Sequence, residues 1–426
     1  RYIKEMFRLL NDGATAKKEK GSVSSFQAFC ISTASRVGTG NLAGIAIAIS
    51  VGGPGAIFWM WLIALIGSAS SFVESTLAQI YKQPDGNGAY IGGPAYYMEK
   101  ALNMKWMGII FSILITICFG LVFNSVQSNT ISLALNEAFG VNRILVGAIL
   151  TLLTLSIIFG GIHRIAKVSE IIVPIMASAY ILVALFVVIT NISELPAMFA
   201  LIFENAFGVK QAVGGGIGGA LLIGIKRGLF SNEAGMGSAP NAAATANVSH
   251  PVKQGLIQTL GVFTDTIVIC SCTAFIILLS DVDLSGGLTG IQLTQNALSS
   301  QIGSFGSIFI AICVLLFAFS SIVGNYYYGE ANIEFLTKKK IYLTLYRICV
   351  AIMVLFGATV SMDIVWNLAD VFMALMAITN LIAIALLGKI AFKALDDYRA
   401  QKKAGIKDPV FKASSIPELK NVTEWN

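Results

Sequence analysis

Apolar residues run along this chain in long continuous stretches, parted by short groups of charged residues or by Gly, Pro and Asn. Each stretch reaches the ~18–25 residues that a helix needs to cross a hydrocarbon layer about 30 Å thick. The pattern predicts ten spans, at 22–53, 54–82, 105–136, 143–162, 165–190, 212–245, 252–280, 303–335, 340–360 and 363–388. Open sheets are excluded, because lipid cannot satisfy their edges. The strict alternation of a membrane barrel strand is missing too. An all-α polytopic membrane protein is the fold class this pattern requires.

Composition agrees: 56% of the 426 residues are hydrophobic and 12% are charged, against ~25% charged in an ordinary soluble domain. Mean hydropathy is +0.76. The formal charge of +6 does not mark a nucleic-acid surface, because the cations sit in short loops and tails. They serve as topology signals. With residue 1 inside, the inner loops hold Lys17, Lys18, Lys20, Lys82, Lys100, Lys105, Arg164, Lys167, Lys253, Lys338, Lys339, Lys340, Lys389 and Lys393. Outer loops hold Glu137, Glu194, Glu204, Asp281, Asp283 and Asp363, with only Arg143 and Lys210 as cations. The six cysteines lie in or beside apolar runs without metal-type spacing, and read as packing residues.

The chain divides into an amphipathic basic inner segment (1–21), a first half of five spans (22–190), an outer loop (191–211), a second half of five spans (212–388) and a polar inner tail (389–426). An odd number of spans per half makes the second half enter from the opposite side, the arithmetic of an inverted repeat. The first span of each half is also interrupted. Gly38, Thr39, Gly40 and Asn41 stand at mid-depth in the first, and the run around Gly228 to Gly237, with Ser231, Asn232 and Glu233, in the sixth. Opened backbone survives there only where it lines a cavity or holds something, since each free N–H or C=O costs several kcal/mol in lipid. Two half-helices meeting at mid-depth offer amides to an anion and carbonyls to a cation. A zwitterionic amino acid suits that arrangement, with its carboxylate near Thr39 and Gly40 and its ammonium near Phe230 and Ser231. Close helix packing through small residues is the competing reading of the glycines. Ser320 and Ser321, in the eighth span, can bond back to their own helix or serve as hard ligands for a cation such as sodium.

The segments VGTGN (37–41), GGPGAIFWMW (52–61), GGPAYYM (92–98) and KRGLFSNEAGMGSAPNAAATA (226–246) resemble the alanine-or-glycine:cation symporter family, and with the span order the likeness covers nearly the whole chain. The resemblance implies the leucine-transporter fold, a 5+5 inverted repeat with discontinuous first and sixth helices; that fold is also the worked example of broken transporter helices. It implies a further membrane helix before Arg1 to Lys20, and hence an outer N-terminus. By matching motif, Gly38, Thr39, Gly40, Asn41, Phe230, Ser231 and Asn232 are expected to contact substrate, with Phe230 as aromatic lid. The carbonyls of Ala34, Val37 and Phe317 with the hydroxyls of Ser320 and Ser321 are expected to hold Na+. Gln127 is a further substrate candidate or a helix–helix hydrogen bond, and Trp366 a candidate or an interface anchor. Proton-coupled relatives of the fold use a lysine inside the fifth span; here Lys167 lies at the inner edge, which favours sodium.

Arg36, Glu74, Lys226, Arg227, Glu233, Asp265, Glu330 and Asp370 fall in or near spans, where pairing is the default. Arg36 with Glu233 or Asp370 is the expected inner gating pair. Neither histidine, His163 or His250, joins a nucleophile or metal set, so an enzyme is not expected, and discrete breaks rather than polar rings argue against a channel. The expected function is sodium-coupled import of small neutral amino acids (alanine, glycine) across the cell membrane by alternating access, with a proton-coupled carrier of the same fold as alternative. Its partners are the amino acid and membrane lipid, with no nucleic acid and no required protein.

Overall fold

The computed structural model describes residues 2–15, 22–86, 88–207, 216–284 and 286–425. Arg1, Lys17, Lys18, Lys20, Lys210, the start of the sixth span at 212–215 and the side chain of His163 lie outside the described residues. In chain order the helices are α1 Tyr2–Thr15, α2 Ser25–Arg36, α3 Ile45–Gly52, α4 Ala56–Ile80, α5 Pro94–Lys100, α6 Lys105–Phe139, α7 Arg143–Ile158, α8 Gly161–Thr190, α9 Leu195–Phe207, α10 Gly216–Asn232, α11 Ala239–Thr245, α12 Pro251–Leu278, α13 Gly290–Ile302, α14 Phe305–Leu336, α15 Lys340–Thr359 and α16 Met362–Lys403. A short antiparallel pair, Gln83–Pro84 with Tyr90–Ile91, sits in the loop after α4.

Seven of these helices are long and apolar enough to cross a membrane. The 16-residue α7 and the two interrupted spans, α2 with α3 and α10 with α11, complete ten membrane elements among the described residues. Large apolar side chains on their outer faces, such as Leu152, Leu182, Ile341 and Leu386, are more than half exposed. Such a belt is costly in water and ordinary in lipid. The chain is a multi-pass membrane protein.

Local chemistry explains the two breaks. Ser24 starts α2 with a capping box, its hydroxyl accepting from the Gln27 amide while the Gln27 side chain accepts from the Ser24 amide. The helix stops at Arg36, where Val37 turns out of the helical region at φ −79°, ψ 86°, and resumes as a π turn over Gly40–Gly44. In the sixth span Glu233, Gly235 and Gly237 all take left-handed backbone, at φ 56°, 82° and 82°. Glycine carries that conformation freely, whereas a glutamate does so at a cost of order 1 kcal/mol. Ser238, 2.6 Å from Glu233 Oε2, and Ser35, 2.7 Å from Oε1, hold the strained residue in place.

Helix α4 packs on α10, α11 and the inner half of α12, grouping the second, sixth and seventh spans, and α3 packs on α10. Helix α14 packs on α6, α8, α13 and α2, so the eighth span touches the inner half of the first. The outer connections are partly helical, in α9 and α13. Helix α16 runs past residue 388 to Lys403, and the chain then returns over the inner face. There Trp425 donates to the Gln79 carbonyl at 3.0 Å, Thr423 to that of Lys82 at 3.1 Å, and the Phe411 amide to that of Ser249 at 2.9 Å.

Candidate functional site

The first break is held shut by side chains. Asn41 Oδ1 accepts from the Gly38 amide at 2.9 Å, and Gln127 Oε1, from the third span, accepts from the Thr39 amide at 3.0 Å. Gln127 therefore occupies the position expected for a substrate carboxylate oxygen. A Cβ on Gly38 would stand 2.8 Å from Gln127 Oε1 and overlap Ser321 Oγ, so only glycine fits. Facing this break, Phe230 lies against Gly40, with Ser231 Cα 3.2 Å from where a Gly40 Cβ would be. The Phe230 ring packs, tilted, between Trp366 at 4.6 Å and Phe123 at 4.4 Å. Trp366 also faces Gly44, at 3.5 Å from its would-be Cβ. The structure thus brings Gly38, Thr39, Gly40, Asn41, Gln127, Phe230, Ser231 and Trp366 to one place, and Asn232 closes α10 beside them, accepting from the Ala234 amide. Thr39 Oγ1, Asn232 Nδ2 and Trp366 Nε1 are buried with no hydrogen-bond partner.

Next to this site five oxygens converge. Ser321 Oγ lies 2.8 Å from the Ala34 carbonyl, 3.0 Å from that of Phe317 and 3.5 Å from that of Val37. Ser320 Oγ lies 2.8 Å from the Phe317 carbonyl and 3.4 Å from that of Ala34. Two hydroxyl hydrogens serve three carbonyls, so the cluster is rich in lone pairs and poor in donors, and both serines are fully buried. Hard cations take such shells. Lys167 is exposed on the fifth span, away from this buried cluster.

Three carboxylates carry more of the site than their positions in the sequence indicate. Asp265, on a π-helical stretch of the seventh span, accepts from Asn41 Nδ2 at 2.6 Å, Ser231 Oγ at 2.8 Å and Thr266 Oγ1 at 2.9 Å. One carboxylate therefore ties the first break to the sixth. Glu74 accepts from the Gly235 and Gly237 amides at 3.2 and 3.1 Å and from Asn380 at 2.7 Å, capping the inner half of the sixth span. Glu233 is held by Ser35 and Ser238 as described. All three are essentially buried. Their intramembrane depth is the signal the sequence offers; Asn41, Ser231, Ser35, Asn380 and the Gly235 and Gly237 amides reach them from other spans.

The expected gating pair of Arg36 with Glu233 or Asp370 does not form. Arg36 donates to the Gln258 carbonyl at 3.2 Å and lies 3.5 Å from Ser71 Oγ, and it makes no ion pair among the described residues. Asp370 is in the outer half of the tenth span, away from Arg36 in the inner half of the first, and both Glu233 oxygens are already taken by Ser35 and Ser238. Asp370 instead pairs with Arg227 and, at 3.6 Å, with Lys226, and the Arg227 guanidinium sits 4.6 Å above the Trp366 ring. That pair caps the aromatic stack from outside.

Fold and site together define a membrane transporter of the leucine-transporter fold. Among solved structures, one of MhsT in complex with L-phenylalanine aligns with TM-score 0.64 at 16% identity, covering 85% of this chain and 89% of that one. A Na+-coupled sialic acid symporter aligns with TM-score 0.54 at 14% identity, over 91% and 84% of the two chains. Residues 1–413 match the sodium:alanine symporter family, and the chain belongs to that family. It is 61% identical to the probable sodium/glutamine symporter GlnT of Bacillus subtilis over all of this chain and 88% of that protein. It is also 60% identical to the amino-acid carrier protein AlsT of the same organism, over 100% and 90%, and 40% identical to the sodium/alanine symporter AgcS of Methanococcus maripaludis, over 89% and 86%.

Proposed function

We propose that this protein imports a neutral amino acid in symport with sodium, by alternating access, with alanine and glycine as its first candidates. The observation that carries this reading is the adjacency of the five-oxygen cluster to the opened backbone. Ala34 and Val37 belong to the same span as the break, so a sodium ion on their carbonyls would order the backbone that receives the substrate. Sodium would then raise substrate affinity, and substrate would raise sodium affinity by the same factor. In the substrate site, the amino acid's carboxylate would displace Gln127 Oε1 from the Thr39 amide, while the unpartnered Thr39 and Asn232 groups supply further contacts. Phe230 closes over the site, and the Arg227–Asp370 pair closes above it.

Glutamine is a second reading of the substrate, favoured by the 61% identity to the probable sodium/glutamine symporter GlnT. A longer side chain requires Phe230 and Trp366 to part, because their rings are in contact. Protons are a second reading of the coupling ion, favoured by the buried carboxylates. Uptake of labelled alanine and of labelled glutamine into proteoliposomes, under an imposed sodium gradient and then a proton gradient, separates these readings. Accumulation driven by sodium and abolished by Ser320→Ala with Ser321→Ala supports the proposal. Accumulation driven by protons alone and indifferent to both serines overturns it.

A further inference from the structure

Two buried hydroxyls connect the oxygen cluster to the first break by a route that avoids the first span. Thr273 of α12 donates to the Asn41 carbonyl at 2.5 Å, and its Oγ1 lies 2.6 Å from the hydroxyl of Tyr180 in α8. Threonine has a single hydroxyl hydrogen, and the carbonyl takes it, so Tyr180 is the donor of the second bond. The order runs from Tyr180 to Thr273 to Asn41, and each bond in such a chain polarises the next. On its other side the Tyr180 ring meets that of Phe317 edge-on at 5.6 Å. Met176, one turn earlier on the same face of α8, has its Sδ 3.8 Å from Ser320 Oγ. Phe317 and Ser320 both belong to the five-oxygen cluster. Tyr180, Thr273, Asn41, Phe317 and Ser320 are all fully buried.

The seventh span thus grips Asn41 twice, since Asp265 takes its side-chain amide and Thr273 its carbonyl. On an uninterrupted α-helix the spacing of Asp265 and Thr273 would leave about 80° between them around the axis. The π-helical stretch Phe263–Cys270 covers most of that distance. A π turn takes up an extra residue, which turns both side chains toward the face that meets Asn41.

We propose that Tyr180 and Thr273 are positioning residues for transport, holding the Asn41 carbonyl and with it the opened backbone of the first span in register with the cation cluster. Their use in coupling rests on the sodium-symport reading above; their hold on Asn41 does not. A sodium ion on the Ala34 and Val37 carbonyls acts on the inner end of the break. The Tyr180–Thr273 chain gives the same cluster a second line to the other end, at Asn41, whose Oδ1 accepts from the Gly38 amide beside the substrate site. The bond between Tyr180 and Thr273 also crosses from the fifth span to the seventh, so relative movement of these spans loosens the break.

The test is equilibrium binding of labelled alanine to the purified full chain at low and high sodium, with hydrogen exchange of the peptide covering residues 37–46 read on the same samples. Wild type is compared with Tyr180→Phe, Thr273→Val, the two combined, and Thr273→Ser. Thr273→Val should weaken alanine binding roughly tenfold and Tyr180→Phe roughly threefold, the effect of losing two and one neutral hydrogen bonds. In both, sodium should tighten alanine binding by a smaller factor than in wild type. The combined variant should bind no more weakly than Thr273→Val, because both changes cut one chain, and Thr273→Ser, which keeps the hydroxyl, should restore wild-type behaviour. The break should exchange faster in Thr273→Val at an unchanged melting temperature. Wild-type affinity and exchange in Thr273→Val, additive losses in the combined variant, or losses seen only with a lowered melting temperature would each overturn the proposal. Faster exchange in Thr273→Val, in a protein whose alanine binding ignores sodium, would support the hold on Asn41 and remove the symport reading instead.

Discussion

Asp265→Asn tests whether one carboxylate couples the two broken helices. In the structure it accepts three hydrogen bonds, from Asn41, Ser231 and Thr266, at 2.6 to 2.9 Å. Bonds to a charged acceptor contribute ~1.5–3 kcal/mol each, against ~0.5–1.5 kcal/mol for neutral ones. An asparagine keeps the shape but offers one acceptor oxygen, and turns an NH₂ donor toward groups that are themselves donating. The two hydroxyls can rotate to accept, whereas the Asn41 amide cannot. The loss should therefore come to about 1–3 kcal/mol, falling on the step that brings Asn41 and Ser231 together around substrate. Half-saturating alanine should rise roughly five- to 150-fold, measured as initial sodium-driven uptake in proteoliposomes against alanine concentration. Asp265→Leu, which leaves Asn41 and Ser231 only the weak acceptor Cys270 Sγ close by, should lose uptake and lower the melting temperature as well. Wild-type half-saturation and wild-type sodium dependence in Asp265→Asn would refute the reasoning, because the charge would then contribute nothing to closing the breaks.

Other expectations follow from single contacts. Ser320→Ala with Ser321→Ala removes two of five oxygens and should raise the sodium concentration for half-maximal uptake by roughly tenfold or more per hydroxyl, if each is worth ~1.5 kcal/mol to a charged partner; an unchanged sodium curve would remove the cluster from the mechanism. Gly38→Ala should lower uptake at least tenfold, since overpacking of about 1–3 kcal/mol falls on Gln127 and Ser321, whereas Gly388→Ala, whose nearest neighbour is a flexible ring edge at 3.9 Å, should leave uptake unchanged. His250, on the inner face, is fully buried between Asp397 and Phe411, and burial pushes it down to about 4 despite the Asp397 carboxylate. The unfolded chain, near ~6.5, then binds the extra proton between those values, so stability is full above about pH 6.5 and falls by up to ~3 kcal/mol toward pH 4. Thermal melts at pH 7, 5.5 and 4.5 should show this slope, and His250→Asn should flatten it.

Those predictions rest on contacts of two kinds, and the sequence exposes only one of them. Apolar run length determined the ten spans, because a helix in lipid must satisfy its own backbone and so must be long, continuous and apolar. The same rule made Gly38 to Asn41 and the Gly-rich run before Gly237 conspicuous, as polar or helix-weakening residues at a depth that does not tolerate them. The serine pair was visible for the same reason. What remained hidden was partner choice across spans. Asp265 was legible as a buried charge, yet Asn41 lies 224 positions away from it, and nothing local ties those positions together. Arg36 does not pair with the carboxylates its charge suggests because charge and sequence carry no register between helices; packing decides which side chains meet, and it gives Asp370 to Arg227 and Glu233 to Ser35 and Ser238. The inner tail beyond Lys403 was unreadable for a different reason. Its buried Phe411 and Trp425 are isolated in polar sequence, without the periodicity that announces an element, and they find their places only against surfaces built by the spans themselves.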